Sequence, residues 1–488
     1  MISGNLYSLL GIPPSASADD IKLAYRGAAR RFHPDVNKDP AASEEFKYIT
    51  EAHGILSDPG QRARYDESLK QQGAPSLLVM RSLLSRQRVP ALAEPQVIYA
   101  LIDIRPGLAA QNLPAPPVNL SLVIDRSTSM QGERLDQVKH AVSQLIDDLR
   151  ENDSLSVTTF SDKAEVIFTA QQGTQDHRTL AKARVSTIYA AGGTEILQGL
   201  KRGLMELYPT IKPSAVNHLM LLTDGQTYGD EGDCMLLAAL ANVDGVTISG
   251  LGIGDEWNDK FLDELTTATG GGTAFINAPE KVSEFMREKV RSLGAAYGER
   301  LKLRVILDQE VKLLEVFKVS PEPMPIALEE TLRLGILPRE QTVTVLLKLL
   351  LPPLPEGARP IARLALYGDL LALGRRGERA THDLAVNVQA KPEYAPPPAA
   401  LVEALNKLSH HQLQERAFQQ AASGDIKSAT RTLSVLGTRL LASGQPELAR
   451  MAITEARRLE GNHAVSEDAK KRIKYGTRAL VMPTPAAE

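Results

Sequence analysis

The chain has 488 residues, of which 43% are hydrophobic and 24% are charged, and its formal net charge is −3 at pH 7. This length exceeds what one hydrophobic core holds, so about three or four folded domains are expected. The near balance of charge argues against broad binding of nucleic acid or anionic membranes. Cys234 is the only cysteine, which excludes an intramolecular disulfide and leaves a Cys/His zinc site without its ligands.

The N-terminus and the most apolar run bear on membrane association. The first residues lack the basic start and the long apolar core of a secretory signal. The run TVTVLLKLLL is interrupted by Lys348 and closed by two prolines, so it is too short to cross a bilayer. We therefore expect a soluble cytoplasmic protein that binds no nucleic acid and inserts into no membrane.

Residues 1–69 are predicted to form a compact, all-α unit. Ser17 is a suitable N-cap for a helix whose apolar residues recur at helical spacing. A second helix is expected over residues 41–56, and the Asp-Pro-Gly sequence at 58–60 should stop it. Residues 70–75 are predicted to be a linker.

Strand-rich segments flank a region in which strands and helices alternate. Residues 76–117 and 298–391 carry the strand-type runs. Between them, residues 118–297 alternate buried strands with amphipathic helices, such as a helix over 196–207 and a strand over 246–253. This order predicts a mostly parallel, doubly wound sheet of Rossmann-like α/β type. Because the first flanking segment cannot hold a core alone, the economical interpretation is an antiparallel β-sandwich with the α/β domain inserted into it.

The remainder of the chain is predicted to be helical. Residues 392–398 form a Pro-rich linker, residues 399–480 carry apolar-periodic runs separated by Ser-Gly turns, and residues 481–488 are expected to be a disordered tail. The runs weakly resemble a tetratricopeptide array, but its full repeat spacing is absent, which favours a plain α-helical bundle. His410 and His411 are expected on a solvated polar helix face and not in a metal site.

The first chemical signal is the triplet His33-Pro34-Asp35, which lies between two predicted antiparallel helices. Pro34 fixes the turn that presents the imidazole of His33 and the carboxylate of Asp35. Alone, such a triplet would indicate only a turn. The sequences NLYSLLGIPPSAS before it and ILSDPGQRARYD after it extend the pattern, and the whole helical unit resembles a J domain of the DnaJ family.

A basic helix face precedes the triplet. Lys22, Arg26 and Arg30 recur at four-residue spacing and therefore share one face, and Arg31 adds charge just before the turn. Without the triplet, a solvated surface would be the better interpretation. The resemblance implies that the triplet and this face dock on a DnaK-type chaperone and stimulate its ATP hydrolysis, with the basic face steering toward an acidic surface.

The second signal is a set of five oxygen-bearing residues. Asp125, Ser127 and Ser129 follow one buried strand, Thr194 lies in a Gly-rich loop, and Asp224 ends another strand. The carboxyl ends of parallel strands share one edge of the sheet, so these side chains are expected to meet. Two carboxylates and three hydroxyls suit Mg²⁺, and Mn²⁺ or Ca²⁺ stays open. The D-x-S-x-S sequence alone would indicate only a capped strand–turn–helix connection.

This pattern resembles the metal-ion-dependent adhesion site of von Willebrand factor type A domains over residues 118–297, and every position of the motif is present. The resemblance implies that the three hydroxyls contact the ion and that the two aspartates act largely through bound waters. It also implies that a protein partner completes the shell with an Asp or Glu.

Together the two signals predict a non-enzymatic adaptor that captures a protein through a divalent ion and recruits a chaperone to it. The sequence contains no GxxxxGK[ST], GxSxG or HExxH motif, so no enzyme is expected. Two alternatives stay open: an accessory subunit of an AAA-type ATPase machine of the magnesium-chelatase kind, and a structural protein in which the ion only supports the fold.

Overall fold

The computed structural model describes residues 6–37, 40–72, 77–107, 113–172, 174–227, 229–308, 310–321, 323–393, 395–462 and 465–479. The chain divides into two compact units, one formed by Met1–Pro114 and Tyr297–Leu405 and the other by Ala115–Ala296 and Asn406–Glu488. Within the described ranges, no helix combines the length and the apolar character needed to cross a bilayer.

The first unit begins with helices α1 (Leu6–Leu10), α2 (Ala18–Phe32), α3 (Pro40–Ser57) and α4 (Pro59–Gln72). Ser17 caps α2 as predicted. The backbone N–H of Asp20 donates to the Ser17 hydroxyl over 3.1 Å, and the Asp20 carboxylate accepts from the backbone N–H of Ser17 over 2.8 Å. This reciprocal pair satisfies two N–H groups that the start of a helix leaves without a backbone partner.

The predicted stop after α3 is confirmed, but the linker predicted over residues 70–75 is partly wrong. Helix α3 ends at Ser57, and α4 begins at Pro59, because proline is well tolerated in the first turn of a helix. Helix α4 then continues to Gln72, so residues 70–72 are helical. Residues 73–75 lie outside the described residues.

The next elements along the chain are the strands β1 (Leu78–Leu84), β2 (Arg88–Pro90) and β3 (Gln96–Pro106). The α/β region follows, with β4 (Val118–Asp125), α5 (Glu133–Asp148), β5 (Ser154–Phe160), β6 (Ala164–Gln172), α6 (Gln175–Ser186), α7 (Ile196–Leu207), β7 (Val216–Thr223), α8 (Glu231–Val243), β8 (Val246–Ile253), α9 (Asp259–Thr267), β9 (Thr273–Ile276) and α10 (Val282–Gly294).

A second group of strands comprises β10 (Ala296–Leu307), β11 (Lys312–Ser320), β12 (Met324–Ile326), β13 (Leu332–Pro338), β14 (Val343–Leu351), β15 (Gly357–Leu370) and β16 (Arg375–Gln389). The helices α11 (Ala399–Ala422), α12 (Ile426–Ala442), α13 (Pro446–Asn462) and α14 (Glu467–Ala479) complete the described chain. The tail predicted over residues 481–488 lies outside the described residues.

The α/β region contains one six-stranded sheet in the order β6-β5-β4-β7-β8-β9. Strands β4, β5, β7, β8 and β9 run parallel, and β6 runs antiparallel to β5. The mostly parallel sheet is therefore confirmed, and the predicted helix 196–207 and strand 246–253 coincide with α7 and β8. The strand order reverses direction between β4 and β7, which is where open α/β sheets bind ligands. Asp125 and Asp224 lie at the ends of these two strands.

The strands of the first unit form two five-stranded sheets, in the orders β1-β3-β14-β11-β12 and β13-β10-β15-β16-β2. Each sheet combines strands from before and after the α/β region, because β3 pairs with β14 and β2 pairs in parallel with β16. Side chains of both sheets, among them Ile98, Ile102, Leu303 and Leu364, belong to one buried hydrophobic cluster. Apolar burial between the two sheets thus joins segments that are far apart in sequence.

The N-terminal helices pack against the second of these sheets. Ile306 of β10 and Ala365 of β15 belong to the hydrophobic cluster of the four helices. Glu45 of α3 lies beside two sheet arginines: its Oε1 is 3.3 Å from Arg363 Nη1, and its Oε2 pairs with Arg379. All three of these charged side chains are buried. A buried carboxylate between two guanidinium groups therefore joins the helices to the sheet.

Helices α12–α14 and part of α11 bury a core of their own, and α14 also contacts the α/β region. Lys474 pairs with Asp259, and Arg478 pairs with Asp263 over 2.8 Å, both on α9. The predicted solvated position of His410 is wrong, because its side chain is buried. His411 is half-buried, and this burial lowers its pKa to about 4, with Arg478 and Lys474 acting in the same direction.

Candidate metal centre and chaperone-binding surface

The last residue of β4, Asp125, is fully buried and fixes the loop that follows it. The backbone N–H of Ser127 donates to Asp125 Oδ1 over 2.8 Å, which turns the chain back on itself. The hydroxyl of Thr223, at the end of β7, donates to Asp125 Oδ2 over 2.7 Å. Burial raises the pKa of Asp125 to about 6, against the hydrogen bonds from Ser127 and Thr223, and the nearby charge of Asp224 adds to the rise.

The two serines connect Asp125 to Asp224. The hydroxyl oxygens of Ser127 and Ser129 lie 3.0 Å apart, and the Ser129 hydroxyl donates to Asp224 Oδ1 over 2.7 Å. Asp224 is fully buried, whereas Ser129 is exposed. Four of the five predicted residues thus form one hydrogen-bonded group at the carboxyl ends of β4 and β7.

The fifth residue, Thr194, lies beside the backbone that follows Asp224. A Cβ atom placed on Gly225 would be 2.9 Å from Thr194 Oγ1, so a side chain at this position would force Thr194 to shift. The loop before Thr194 is tied to the D-x-S-x-S loop, because the backbone N–H of Thr128 donates to the carbonyl oxygen of Gly192 over 3.0 Å. The structure therefore brings all five residues to one edge of the sheet.

Three further residues shape this group, and the sequence analysis missed them. Thr223 binds Asp125, as described above. Asp162 Oδ1 accepts a hydrogen bond of 2.8 Å from the backbone N–H of Gly193 and so holds the Gly-rich loop. Arg134 Nη1 lies 2.6 Å from Asp224 Oδ2. Thr223 had a signal, since it directly precedes Asp224, whereas nothing in the local spacing marks Arg134 or Asp162.

The residues of this group fit a hard divalent cation. Across the described ranges, no three His, Cys, Asp or Glu side chains come together in a way that could hold a metal ion. An ion held here would therefore need hydroxyl oxygens to complement the two carboxylates. Such an all-oxygen set of modest charge suits Mg²⁺, which usually binds one or two carboxylates and keeps several waters. A cation would also offset the cost of burying two neighbouring carboxylates.

The triplet at residues 33–35 follows the end of α2 and is accessible. His33 is 43% exposed and Asp35 is 85% exposed. The backbone N–H of Asp35 donates to His33 Nδ1 over 3.2 Å, and the ring of Phe46 on α3 meets the His33 ring edge-on with centroids 5.2 Å apart. Pro34 lies in the turn between these two residues. The imidazole is thus held in one orientation while the carboxylate faces solvent.

The three residues of the predicted basic face are exposed, whereas the neighbouring Arg31 is not. Lys22, Arg26 and Arg30 are exposed. Arg31 points elsewhere, since one residue along a helix turns the side chain by about 100°. Its side chain is 14% exposed and pairs with Asp308 over 2.9 Å and Asp383 over 3.3 Å. The expectation that Arg31 adds to the exposed charge is therefore wrong, because this guanidinium belongs to the contact with the sheet.

Three family models match the chain. The first is the von Willebrand factor type A domain over residues 119–288, the second is the DnaJ domain over residues 5–66, and the third is the Sll0103-like, C-terminal alpha-helical domain over residues 399–483. The three matched ranges do not overlap, and they fall on the α/β region, the N-terminal helices and the C-terminal helices.

Among curated relatives, the uncharacterized protein sll0103 of Synechocystis sp. is 30% identical over 380 residues, which cover 76% of this chain and 90% of that protein. The chaperone protein DnaJ of Dictyoglomus thermophilum is 56% identical over 61 residues, and that of Crocosphaera subtropica is 52% identical over 64 residues. These matches cover 12% and 13% of this chain but only 16% and 17% of the two DnaJ proteins.

Two solved structures share the fold. A von Willebrand factor type A protein from Catenulispora acidiphila superposes with a TM-score of 0.67 at 17% identity, over 83% of this chain and 97% of that one. The ArnB paralog VWA2 from Sulfolobus acidocaldarius gives a TM-score of 0.53 at 14% identity, over 83% and 99%. At these identities the likeness concerns the fold.

Proposed function

This chain belongs to the family of Sll0103-like proteins and also carries a DnaJ domain, and from that premise we propose that it is a non-enzymatic co-chaperone adaptor. Its von Willebrand factor type A domain binds a protein ligand through Mg²⁺, and its J domain recruits a DnaK-type chaperone ATPase to that ligand. The observation that carries the proposal is the hydrogen-bonded group of carboxylates and hydroxyls at the ends of β4 and β7.

In this proposal the hydroxyls of Ser127, Ser129 and Thr194 hold the ion directly. Asp125 and Asp224 act largely through bound waters, in keeping with the hydrogen bonds that already engage their oxygens. When bound, the ion supplies a positive charge that attracts an Asp or Glu of the partner. Mn²⁺ and Ca²⁺ are compatible with the same oxygens.

The chaperone side of the proposal rests on the exposed triplet and the basic face beside it. His33, Pro34 and Asp35 present the recognition turn, and the exposed Lys22, Arg26 and Arg30 attract an acidic surface of the chaperone. Opposite charges across an interface mainly raise the association rate, and this rate falls with salt.

We also propose that the two five-stranded sheets are the two layers of one β-sandwich, interrupted in sequence by the type A domain. The support is the buried cluster that both sheets share and the pairing of strands from the two flanking segments.

The metal arm is tested by titrating Mg²⁺ into the full chain in a calorimeter and by affinity capture in Mg²⁺ and in EDTA. Asp125→Ala is expected to abolish both Mg²⁺ binding and the Mg²⁺-dependent capture, with its circular dichroism spectrum unchanged. The matched control is Asp136→Ala, which removes an exposed carboxylate of α5. If the same partner is captured with equal yield in EDTA, the metal has no part in binding.

The chaperone arm is tested by single-turnover ATP hydrolysis of a purified bacterial DnaK. The wild-type chain is expected to accelerate hydrolysis, and His33→Gln is expected to abolish the acceleration while leaving the domain folded. His140→Gln, an exposed histidine on α5, is the control. Undiminished stimulation by His33→Gln contradicts the proposal. If neither protein stimulates DnaK and an AAA-type ATPase is captured, the accessory-subunit alternative replaces it.

A further inference from the structure

Arg134 brings a permanent positive charge to the candidate metal centre. Its Nη1 lies 2.6 Å from Asp224 Oδ2 and 3.5 Å from the carbonyl oxygen of Ser129. Because the Ser129 hydroxyl occupies Asp224 Oδ1, both oxygens of this buried carboxylate are engaged. Arginine does not lose its proton in proteins, so this charge is present at every working pH.

The guanidinium is seated against a fixed backbone. Gly254, directly after β8, has a φ of +71°, and a Cβ atom placed there would be 3.1 Å from Arg134 Nη2. The carbonyl oxygen of Gly254 accepts a hydrogen bond of 2.8 Å from the indole of the buried Trp257. Arg134 is 32% exposed, so one side of its side chain is left toward solvent.

We propose that Arg134 competes with the divalent ion for Asp224 and thereby sets the affinity of the centre. The ion pair between Arg134 and Asp224 keeps Asp224 in place when no metal ion is bound. The positive charge of the Arg134 guanidinium also opposes the approach of a second cation. A divalent ion therefore binds only when its interaction with the site is stronger than the interaction of Asp224 with Arg134. This inference rests on the proposed function, because it concerns the same five oxygen-bearing residues.

Calorimetric titration of Mg²⁺ into the full chain and its variants tests the competition. Arg134→Gln is expected to bind Mg²⁺ about tenfold more tightly than the wild type, since one charged contact with the ligand set is removed. Arg134→Lys keeps the charge but loses the planar fork, and is expected to fall between them. The matched control is Lys139→Gln. Lys139 lies on the same helix and pairs with Asp136, and its replacement is expected to change the affinity for Mg²⁺ by less than about twofold.

Thermal unfolding in EDTA and in Mg²⁺ gives a second measurement, the melting temperature. Removing a charge far from the centre would not change the two melting temperatures in the same way. In EDTA, Arg134→Gln is expected to melt below the wild type, because buried Asp224 loses its partner. In Mg²⁺ the gap is expected to shrink or reverse, because tighter binding of the ion stabilises the folded state more.

The outcomes separate this inference from the proposed function. If the wild type binds none of Mg²⁺, Mn²⁺ and Ca²⁺, the proposed metal centre is wrong. If the wild type binds Mg²⁺ and Arg134→Gln binds it equally or more weakly, the centre stands and the competition is overturned. Should Arg134→Gln not fold, Arg134→Lys decides: an affinity and an EDTA melting temperature equal to those of the wild type overturn the inference.

Discussion

Replacing Glu45 by alanine should loosen the J domain from the sheet on which it packs. The Glu45 side chain is 1% exposed, with Oε1 3.3 Å from Arg363 and Oε2 paired with Arg379. After the substitution Arg363 keeps its pair with Asp383 at 2.7 Å, whereas Arg379 loses the carboxylate with which it pairs. Breaking a buried ion pair on one side typically costs about 3–5 kcal/mol, because the remaining charge is buried without compensation.

A loss of this size is a large part of the stability of a typical domain, which is about 5–15 kcal/mol. We therefore expect the chain to unfold at a clearly lower urea concentration, and the amides of α2 and α3 to exchange with solvent faster. Glu51→Ala, an exposed carboxylate on the same helix, is the control and should change the stability by less than about 0.5 kcal/mol.

A double-mutant cycle isolates the ion pair from the loss of packing. In the background of Arg379→Met the buried guanidinium is already absent, so Glu45→Ala should cost distinctly less than in the wild type. If Glu45→Ala changes the free energy of unfolding by less than about 0.5 kcal/mol, or costs the same in both backgrounds, the reasoning from the buried pair is refuted.

Two further predictions concern the second unit. Gly252→Ala places a Cβ atom 2.0 Å from Trp257 Cε2, so the indole must move. Urea unfolding should show that the free energy of unfolding falls by about 1–3 kcal/mol. An unchanged urea midpoint contradicts the packing described. The pKa of His411 is about 4 in the folded protein and about 6.5 in the unfolded chain. Between these values the unfolded chain binds a proton that the folded protein does not, so the stability should fall as the pH drops from about 6.5 to about 4. His411→Gln should flatten this part of the melting-temperature profile, and an equally steep profile would assign the effect to other groups.

The five oxygen-bearing residues of the candidate site could be found from the sequence because each is marked locally. Asp125 and Asp224 end apolar strand runs, and the order of strands and helices places those ends at one edge of the sheet. Arg134 could not be found in this way. Its contact with Asp224 depends on how the first turn of α5 lies over the end of β7, which no spacing rule describes.

Two errors share one cause, which is contact between distant segments. Arg31 sits among exposed basic residues of α2, and only the position of β10 and β16 shows that it pairs with Asp308 and Asp383. His410 is buried because later helices contact this part of α11: the guanidinium of Arg439 on α12, for example, donates to the hydroxyl of the neighbouring Ser409. Periodicity predicts that a helix has two faces, but the partner of each face is fixed by tertiary packing.

The buried pairs of Glu45 also bear on how force would pass through the protein. If a flexible linker joined the J domain to the rest of the chain, a bound chaperone could take many orientations. A pulling force would then first extend the linker. Here the pairs of Glu45 with Arg363 and Arg379 hold α3 against the sheet, so a chaperone that bound the turn at residues 33–35, as proposed, would be held in one orientation relative to that sheet. Force generated during the ATPase cycle of the chaperone would then be transmitted directly to the sheets.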